Sequence, residues 1–359
     1  MESILAYVTN IEPILITTYS IAALMATAAF LLLIQVMILR TRLNAKNRHR
    51  KRFVEKWRPI IAETLYQVPV LPLKLKANER CFFVEEWNHF HEILEGNCKR
   101  NLIRLATKLN IDRFALRMLH SKHFRERLTA VITLGHLREF AAWDELKEIS
   151  LQENSLISLA AIQALMQIDA KNCVTIAIQL ISKRGDWPTA RVARILESAG
   201  ANIISEPLIW NIDHNQTEET LRLLPYLYLV HSQRSSPTID KLLNQTVDDR
   251  VIAACLQAIN DPIELPTVRK FLDHSRWHIR VHAVTALGRL GEKEDIARLT
   301  KLLSDPQWWV RYRTAQALAK LPFVDVNSLE EIQENLTDRY AIDILAQVIE
   351  EKRMKWTSN

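Results

Sequence analysis

Glycine is scarce in this chain of 359 residues, which contains only six. Loops that hold phosphate groups use glycine to bring the backbone close to the ligand. Neither GxGxxG nor GxxxxGK(S/T) occurs in the sequence. The sequence therefore argues against a nucleotide-binding domain of that kind.

Cysteine is also rare, and the four cysteines form no CxxC pair. Such wide spacing indicates reduced, buried thiols in a reducing compartment rather than a disulfide framework or a zinc site. Three histidines follow one another at intervals of four residues, but no carboxylate or thiol completes a metal-binding set. We expect no cofactor and no metal. The residues concerned are Cys81, Cys98, Cys173, Cys255, His274, His278 and His282.

Charge is missing altogether from residues 14–39, which are mostly apolar. A helix crosses a bilayer core in about 20 residues, so this stretch predicts a transmembrane helix. A cleaved signal peptide would have a basic start and a shorter apolar region. Residues 40–58 then hold nine Lys or Arg and one acid, and basic residues beside a span stay on the cytoplasmic side. The pattern predicts residues 1–13 outside the membrane and everything after residue 39 inside.

The basic segment allows two interpretations. It is either a topology signal alone, or its cations also bind anionic lipid head groups, at about 1 kcal/mol each. The cations assigned to the membrane surface are Arg40, Arg42, Lys46, Arg48, Arg50, Lys51 and Arg52. Residues 59–359 retain 38 of the 47 basic and 38 of the 41 acidic residues, so they are neutral. A nucleic-acid-binding surface needs an excess of positive charge, and nucleic acid is not an expected partner.

Two apolar ladders with a period of about 31 residues organise the rest of the chain. The first consists of Leu134, Leu165, Leu196, Leu227, Leu256, Leu287 and Leu318. The second lies sixteen residues downstream and consists of Leu119, Ile181, Ile212, Leu243, Leu272 and Leu303, with Ser150 as its polar exception. Two apolar positions per period predict a helix–turn–helix unit that stacks on its own copies, so that the stack forms the core.

The units resemble HEAT repeats, in particular the short variety first described in phycobilisome lyases. The resemblance rests on WHIRVHAVTALGRLG at residues 277–291 and on two further copies at residues 308–321 and 127–137. It covers about residues 97–350 and implies an all-α fold, an α-solenoid of about eight HEAT-like helix pairs. Such a resemblance implies an architecture and says little about activity.

Residues 59–96 are predicted to form a helical cap for the open end of the solenoid. One helix of this cap is rich in aromatic residues, including Phe83 and Trp87, which either cover the first repeat or form a docking face. The predicted organisation is a tail at 1–13, a transmembrane helix at 14–39, a basic juxtamembrane segment at 40–58, the cap at 59–96 and the HEAT-repeat solenoid at 97–359.

One N-terminal span followed by a HEAT solenoid is similar to bacterial inner-membrane HEAT-repeat proteins, which are often encoded beside membrane glycosyltransferases for cell-surface polysaccharide. The resemblance implies a single-pass protein of the inner membrane, with its N-terminus outside and its solenoid in the cytoplasm. It also implies a scaffold or adaptor for a membrane-associated protein, with a polysaccharide glycosyltransferase system as one candidate partner.

Arg127, Arg280 and Arg311 occupy one equivalent position near the start of a first helix, where a cation opposes the helix dipole. They either pair with an acid at the preceding junction, such as Asp273 or Asp305, or receive acidic residues of a partner.

Trp277, Trp308 and Trp309 lie beside two of these arginines. They are either packed between repeats or exposed as a binding hot spot. The three arginines and the three tryptophans are the predicted partner-binding residues.

No arrangement of Ser, His, Asp or Glu in the sequence predicts nucleophilic or acid–base chemistry. We therefore expect a scaffold without enzymatic activity and without a small-molecule substrate. The alternative is a lyase-like HEAT-repeat enzyme that acts on a chromophore or a protein side chain. The third hypothesis is a nucleic-acid-binding HEAT protein.

Overall fold

The computed structural model describes the backbone of residues 2–64 and 75–357. Side chains are described throughout these ranges except at residues 2–20, 23, 26, 42, 43, 45–47 and 355–357. The described chain consists of helices and short helical turns joined by loops, and it contains no strand. The predicted all-α class is therefore confirmed for these residues.

The helices of the first part are α1 (Glu2–Thr64), α2 (Arg80–Ile93), α3 (Gly96–Lys108), α4 (Ile111–Leu119), α5 (Phe124–Leu137), α6 (Trp143–Ser150), α7 (Ser155–Ile168), α8 (Ala170–Lys183), α9 (Thr189–Ala199) and α10 (Ala201–His214). The remaining helices are α11 (Thr217–Leu223), α12 (Ser232–Gln245), α13 (Asp249–Ala258), α14 (Leu265–Lys270), α15 (Trp277–Leu290), α16 (Asp295–Leu302), α17 (Trp308–Lys320), α18 (Val326–Glu334) and α19 (Arg339–Thr357). Short 3-10 turns lie at Ala77–Glu79, Phe140–Ala142, Leu224–Leu229, Pro262–Glu264 and Phe271–Asp273.

The chain divides into two compact units, Met1–Thr133 and Leu134–Asn359. In the first unit, the end of α1 packs against α2 and α3. Phe53 and Trp57 lie four residues apart, on one face of α1, and both are buried.

The aromatic residues of α2 meet this face of α1. The ring of Trp57 meets that of Phe83 edge-on, with 5.3 Å between the centroids. Trp87 is buried as well and donates a hydrogen bond of 2.9 Å to the carbonyl oxygen of Leu102 on α3. Phe83 and Trp87, which the sequence assigns either to packing or to docking, therefore belong to the core of the first unit.

The apolar residues 14–39 belong to α1, which continues without a break through the basic residues 40–58. A membrane-spanning segment needs about 20 apolar residues. Within the described part of the chain, no helix provides a stretch long and apolar enough for that. The predicted transmembrane helix is therefore wrong for the residues described. The predicted single-pass location in the inner membrane, with an outside N-terminus and a cytoplasmic solenoid, depended on that helix and is contradicted with it.

In the second unit, helices from successive repeats pack side by side. The first helices α13, α15, α17 and α19 are successive neighbours, and so are the second helices α8, α10 and α12. Every leucine of the first predicted ladder lies on a first helix or in the turn that follows one, and each is at most 1% exposed. The residues of the second ladder are buried too, including Ser150. The paired helices and the inward-facing ladders are confirmed, and this stacking is consistent with the predicted α-solenoid.

The weakest copy of the repeat lies in the middle of the second unit. Its first helix, α11, spans only seven residues and is followed by the 3-10 turn at Leu224–Leu229. Pro225 in that turn has no backbone N–H to donate, which prevents an ordinary continuation of the helix. Leu227 nevertheless remains buried. The apolar ladder is kept here although the regular helix is not.

Candidate protein-interaction surface

Arg280 joins α15 to the junctions on both sides of it. Its guanidinium donates one hydrogen bond of 2.8 Å to each carboxylate oxygen of Asp305 and another of 2.8 Å to the carbonyl oxygen of His274. Both Arg280 and Asp305 are buried. An acid does pair with this arginine, but it lies at the following junction rather than the preceding one. The charge of Arg280 is therefore used inside the protein.

Arg311 occupies the equivalent place one repeat later and has a different environment. It donates to the carbonyl oxygen of Asp305 at 3.1 Å, the same six-residue step that links Arg280 to His274. One period after Asp305 the chain has Leu336, which offers no carboxylate. The guanidinium of Arg311 instead lies over the ring of Tyr340, 5.4 Å from its centroid.

Arg127, the third predicted arginine, belongs to the first unit and is half-buried near the start of α5. Arg280 and Arg311 therefore differ in their partners. A binding role for them stays a prediction.

Other arginines, which the sequence analysis did not single out, also connect neighbouring repeats. Arg269 of α14 donates two hydrogen bonds, of 2.7 and 2.9 Å, to the buried carboxylate of Asp295 at the start of α16. Burial by itself would raise the pKa of Asp295, but the hydrogen bonds from Arg269 lower it below its usual value. Arg289 of α15 donates to three carbonyl oxygens at the end of α13, those of Leu256, Gln257 and Ile259.

Exposed aromatic side chains mark the same corner of three successive repeats. Trp277 and Trp308 are the first residues of α15 and α17, and Tyr340 follows Trp309 by one period of 31 residues. Trp277, Trp308, Trp309 and Tyr340 are 40%, 45%, 51% and 66% exposed. Because α15, α17 and α19 pack side by side, equivalent positions on them form a row. We call these four residues the aromatic edge.

Neighbouring rings hold the tryptophans of the edge in place. The ring of Trp308 stacks on that of Tyr312 with 5.2 Å between centroids and an angle of 9°. The ring of Trp309 meets Trp308 at 4.7 Å and 79°. Both arrangements are favourable for aromatic pairs. The sequence allows these tryptophans to be either packed between repeats or exposed, and in the structure they are exposed. Tyr340 could have been found from the sequence by the repeat period, because it lies one period after Trp309.

Five of the seven cations assigned to the membrane surface have described side chains, and all five are exposed: Arg40, Arg48, Arg50, Lys51 and Arg52. Arg42 and Lys46 lie outside the described side chains. One guanidinium nitrogen of Arg50 lies 3.3 Å from Glu86 and 3.7 Å from Glu85, both on α2. Arg50 therefore helps to hold α2 against α1. Since the predicted membrane location is contradicted, we assign no membrane role to this segment.

The three histidines spaced by four residues face different neighbours. Within the described ranges, no group of three or more His, Cys, Asp or Glu residues could hold a metal ion. The neighbours of His274, His278 and His282 are the backbone N–H of Arg276, the carboxylate of Asp249 and the side-chain amide of Gln257, respectively.

Comparison with known proteins identifies the repeat. Residues 237–319, which run from α12 into α17, match a family model described as HEAT repeats. No curated protein matches the chain. HEAT repeats are generally a scaffold for protein interactions, and the match places them at residues 237–319 of a chain that is helical and free of strands where it is described.

Two solved structures show weak similarity. One is the crystal structure of an engineered protein, with a TM-score of 0.35 and 14% identity over 82% of this chain and 93% of that chain. The other is the X-ray structure of YibA from Escherichia coli, with a TM-score of 0.32 and 14% identity over 78% of this chain and 99% of that chain.

Proposed function

We propose that this protein is a scaffold without enzymatic activity and that it binds a partner protein through the aromatic edge. The observation that carries the proposal is the exposure of Trp277, Trp308 and Trp309 at equivalent corners of stacked repeats. Tryptophan and tyrosine are the residues on which protein interfaces most often depend for affinity. Stacked repeats present such residues on a continuous surface, which suits a protein ligand.

The geometry of the edge also favours binding. Trp308 lies between Tyr312 and Trp309, and these contacts limit the orientations of its ring before any partner arrives. A side chain that is already ordered loses less conformational entropy when it enters an interface. The aromatic edge is therefore preorganised for contact.

The thiols of the second unit support the absence of covalent catalysis. Cys173 and Cys255 are buried, and burial raises the pKa of each to about 12. The thiolate is the nucleophilic form of cysteine, so these two residues are poor nucleophiles near neutral pH. The raised pKa values of Cys173 and Cys255 argue against a lyase-like enzyme that would use either thiol as its nucleophile.

Site-specific crosslinking tests the proposal. A photoreactive amino acid replaces Trp309 in the full chain, and in a control protein it replaces Lys301, an exposed residue of α16. We expect one protein to crosslink reproducibly at position 309 and not at position 301 in the cells from which the sequence comes. Adding Trp308→Ala should remove this crosslink. The same crosslinks at both positions, or none at position 309, would contradict the proposal.

A further inference from the structure

Beside the aromatic edge lies a group of side chains that can carry positive charge. His278 and His282 are one turn apart on α15 and therefore share a face of that helix. Arg313 lies on the neighbouring helix α17. Burial lowers the pKa of His282, and the charges of His278 and Arg313 lower it further. A lowered pKa leaves the ring of His282 mainly uncharged at neutral pH, so the groups that carry charge here are Arg313 and, when protonated, His278.

Arg313 differs from the arginines that hold the repeats together. Its guanidinium donates to the neutral side-chain oxygen of Gln316 at 3.0 Å, on its own helix. Within the described ranges it has no carboxylate partner, whereas Arg280 and Arg269 each bind a buried aspartate. Arg313 is also exposed. Its charge is therefore available to an external ligand.

One acid faces this group. The carboxylate of Asp249 on α13 lies 3.4 Å from the ring nitrogen of His278 and 3.4 Å from the guanidinium of Arg276. Arg276 and His278 share the carboxylate of Asp249, so that carboxylate does not balance the charge of Arg313. Arg313 lies one turn after the exposed Trp309 on α17 and therefore places a positive charge beside the aromatic edge.

We infer that Arg313 and His278, which we call the cationic face, bind acidic side chains of a protein segment whose apolar or aromatic residues rest on the aromatic edge. The inference deepens the proposed function and rests on it. Arginine offers two parallel N–H donors to a carboxylate, and such charge-assisted bonds give both strength and orientation.

A protein segment suits this surface better than a nucleic acid does. Nucleic-acid binding depends on many cations that follow the phosphate backbone. The chain from residue 59 onward has equal numbers of basic and acidic residues, and several of its arginines are engaged internally. A small cationic face beside exposed aromatic rings matches a short stretch of Asp or Glu with an apolar anchor.

Peptide binding to the full chain tests the inference. The probes are a fluorescein-labelled oligo-glutamate peptide with one central tryptophan and an oligo-glutamine peptide of the same length with the same tryptophan. Fluorescence anisotropy should show that the glutamate peptide binds at least about tenfold more tightly, because only its carboxylates meet the cationic face. The difference should shrink as salt is added, since salt screens exposed charges.

Charge reversal assigns the binding to the cationic face. Arg313→Glu should weaken binding of the glutamate peptide by about tenfold or more and leave the glutamine peptide unchanged. Lys301→Glu on α16 makes the same change in net charge away from the face, and its effect should stay within about twofold. Arg313→Gln should give an intermediate loss, and circular dichroism should match that of the original protein for all three variants.

Three results would overturn the inference: no binding of the glutamate peptide, equal effects of Arg313→Glu and Lys301→Glu, or tighter binding of a single-stranded oligonucleotide than of the glutamate peptide. Its failure is distinguishable from failure of the proposed function. If the crosslink at position 309 persists while the glutamate peptide does not bind, the scaffold stands without acidic recognition. If no crosslink forms at position 309, the proposed function fails whatever the peptides do.

Discussion

The α-carbon of Ala317 occupies the space that a side chain on Gly288 would need. A Cβ atom placed on Gly288 would lie 2.7 Å from that carbon, closer than two such atoms approach in proteins. The same relationship recurs between Gly135 and Ala164, where the distance would be 2.6 Å. In both places the Leu-Gly pair of one first helix meets the Ala-Leu pair of the next. The close approach of stacked first helices therefore depends on glycine.

Gly288→Val should destabilise the second unit. The added side chain forces α15 and α17 apart, and overpacking of this kind costs about 1–3 kcal/mol. Urea unfolding followed by circular dichroism should show a lower midpoint. Gly185→Val is the control, because the nearest atom to a Cβ there is the Nε of Arg222 at 3.8 Å, an ordinary contact. Equal midpoints for the two variants would show that the close approach does not matter.

Removing one partner of the Arg280–Asp305 pair should be more harmful than removing both. Asp305→Asn leaves the guanidinium buried without a carboxylate, and loss of one member of a buried pair costs about 3–5 kcal/mol. The double replacement Arg280→Met with Asp305→Leu should recover a large part of that loss. Urea midpoints of the single and double variants give the comparison. For Glu218→Gln, which affects only the exposed pair with Arg250, we expect no measurable change.

Glu264 should make stability fall as pH rises. It is 1% exposed, and no donor reaches its carboxylate oxygens with good hydrogen-bond geometry in the described residues. Burial raises the pKa of this carboxyl above the usual value of 4.5, and the nearby Ser236 hydroxyl offsets this only in part. The folded state thus holds the proton more firmly than the unfolded state. The stabilisation that this stronger proton binding gives to the folded state is complete below the usual pKa of the carboxyl group. It is lost as the pH rises through the raised pKa of Glu264 in the folded state.

Glu264→Gln removes this titration. The stability of the variant relative to the original protein should therefore increase between about pH 4 and about pH 8, as judged by urea midpoints at each pH. Glu331→Gln, at an exposed position of α18, serves as the control and should show no such trend. A constant difference for Glu264→Gln across this range would rule out a raised pKa for Glu264.

The tryptophans of the second unit should divide into structural and surface residues. Trp187 is 7% exposed and donates a hydrogen bond of 3.1 Å to the hydroxyl of Ser158, so Trp187→Ala should cost about 3–5 kcal/mol. Trp308→Ala should cost about 1 kcal/mol, the contribution of an exposed aromatic pair. Thermal or urea unfolding measures both. If Trp308→Ala were as destabilising as Trp187→Ala, the aromatic edge would be part of the core and not a binding surface.

The repeat could be predicted from the sequence because its cause is periodic. Leu227 lies in an irregular turn and Ser150 is polar, yet both are buried where the two ladders place them. The stacked chain has only one interior, and each period must direct the same two positions toward it. The same period relates Tyr340 to Trp309, although only the structure shows that Tyr340 is exposed beside the tryptophans.

The sequence was a poorer guide where a residue has two physically reasonable settings. Phe83 and Trp308 are both aromatic residues of amphipathic helices, but one is buried against Trp57 and the other is exposed. Residues 14–39 have the composition of a membrane span, but they belong to a helix that continues through charged residues, and the described chain offers no such span. Composition gives the preference of a segment for apolar surroundings, not the surroundings that the fold provides.

The sequence alone determined that the chain from about residue 97 would be paired helices and which leucines would face inward, because a period of about 31 residues allows one way of burying them. Only the tertiary structure decided that Arg280 binds Asp305, that Arg313 bonds a neutral glutamine and no carboxylate of the described residues, and that Trp277, Trp308 and Trp309 are exposed. These outcomes depend on the distance and register between neighbouring repeats. Register arises from the packing of whole helices against one another, and a pattern read along a single chain does not contain it.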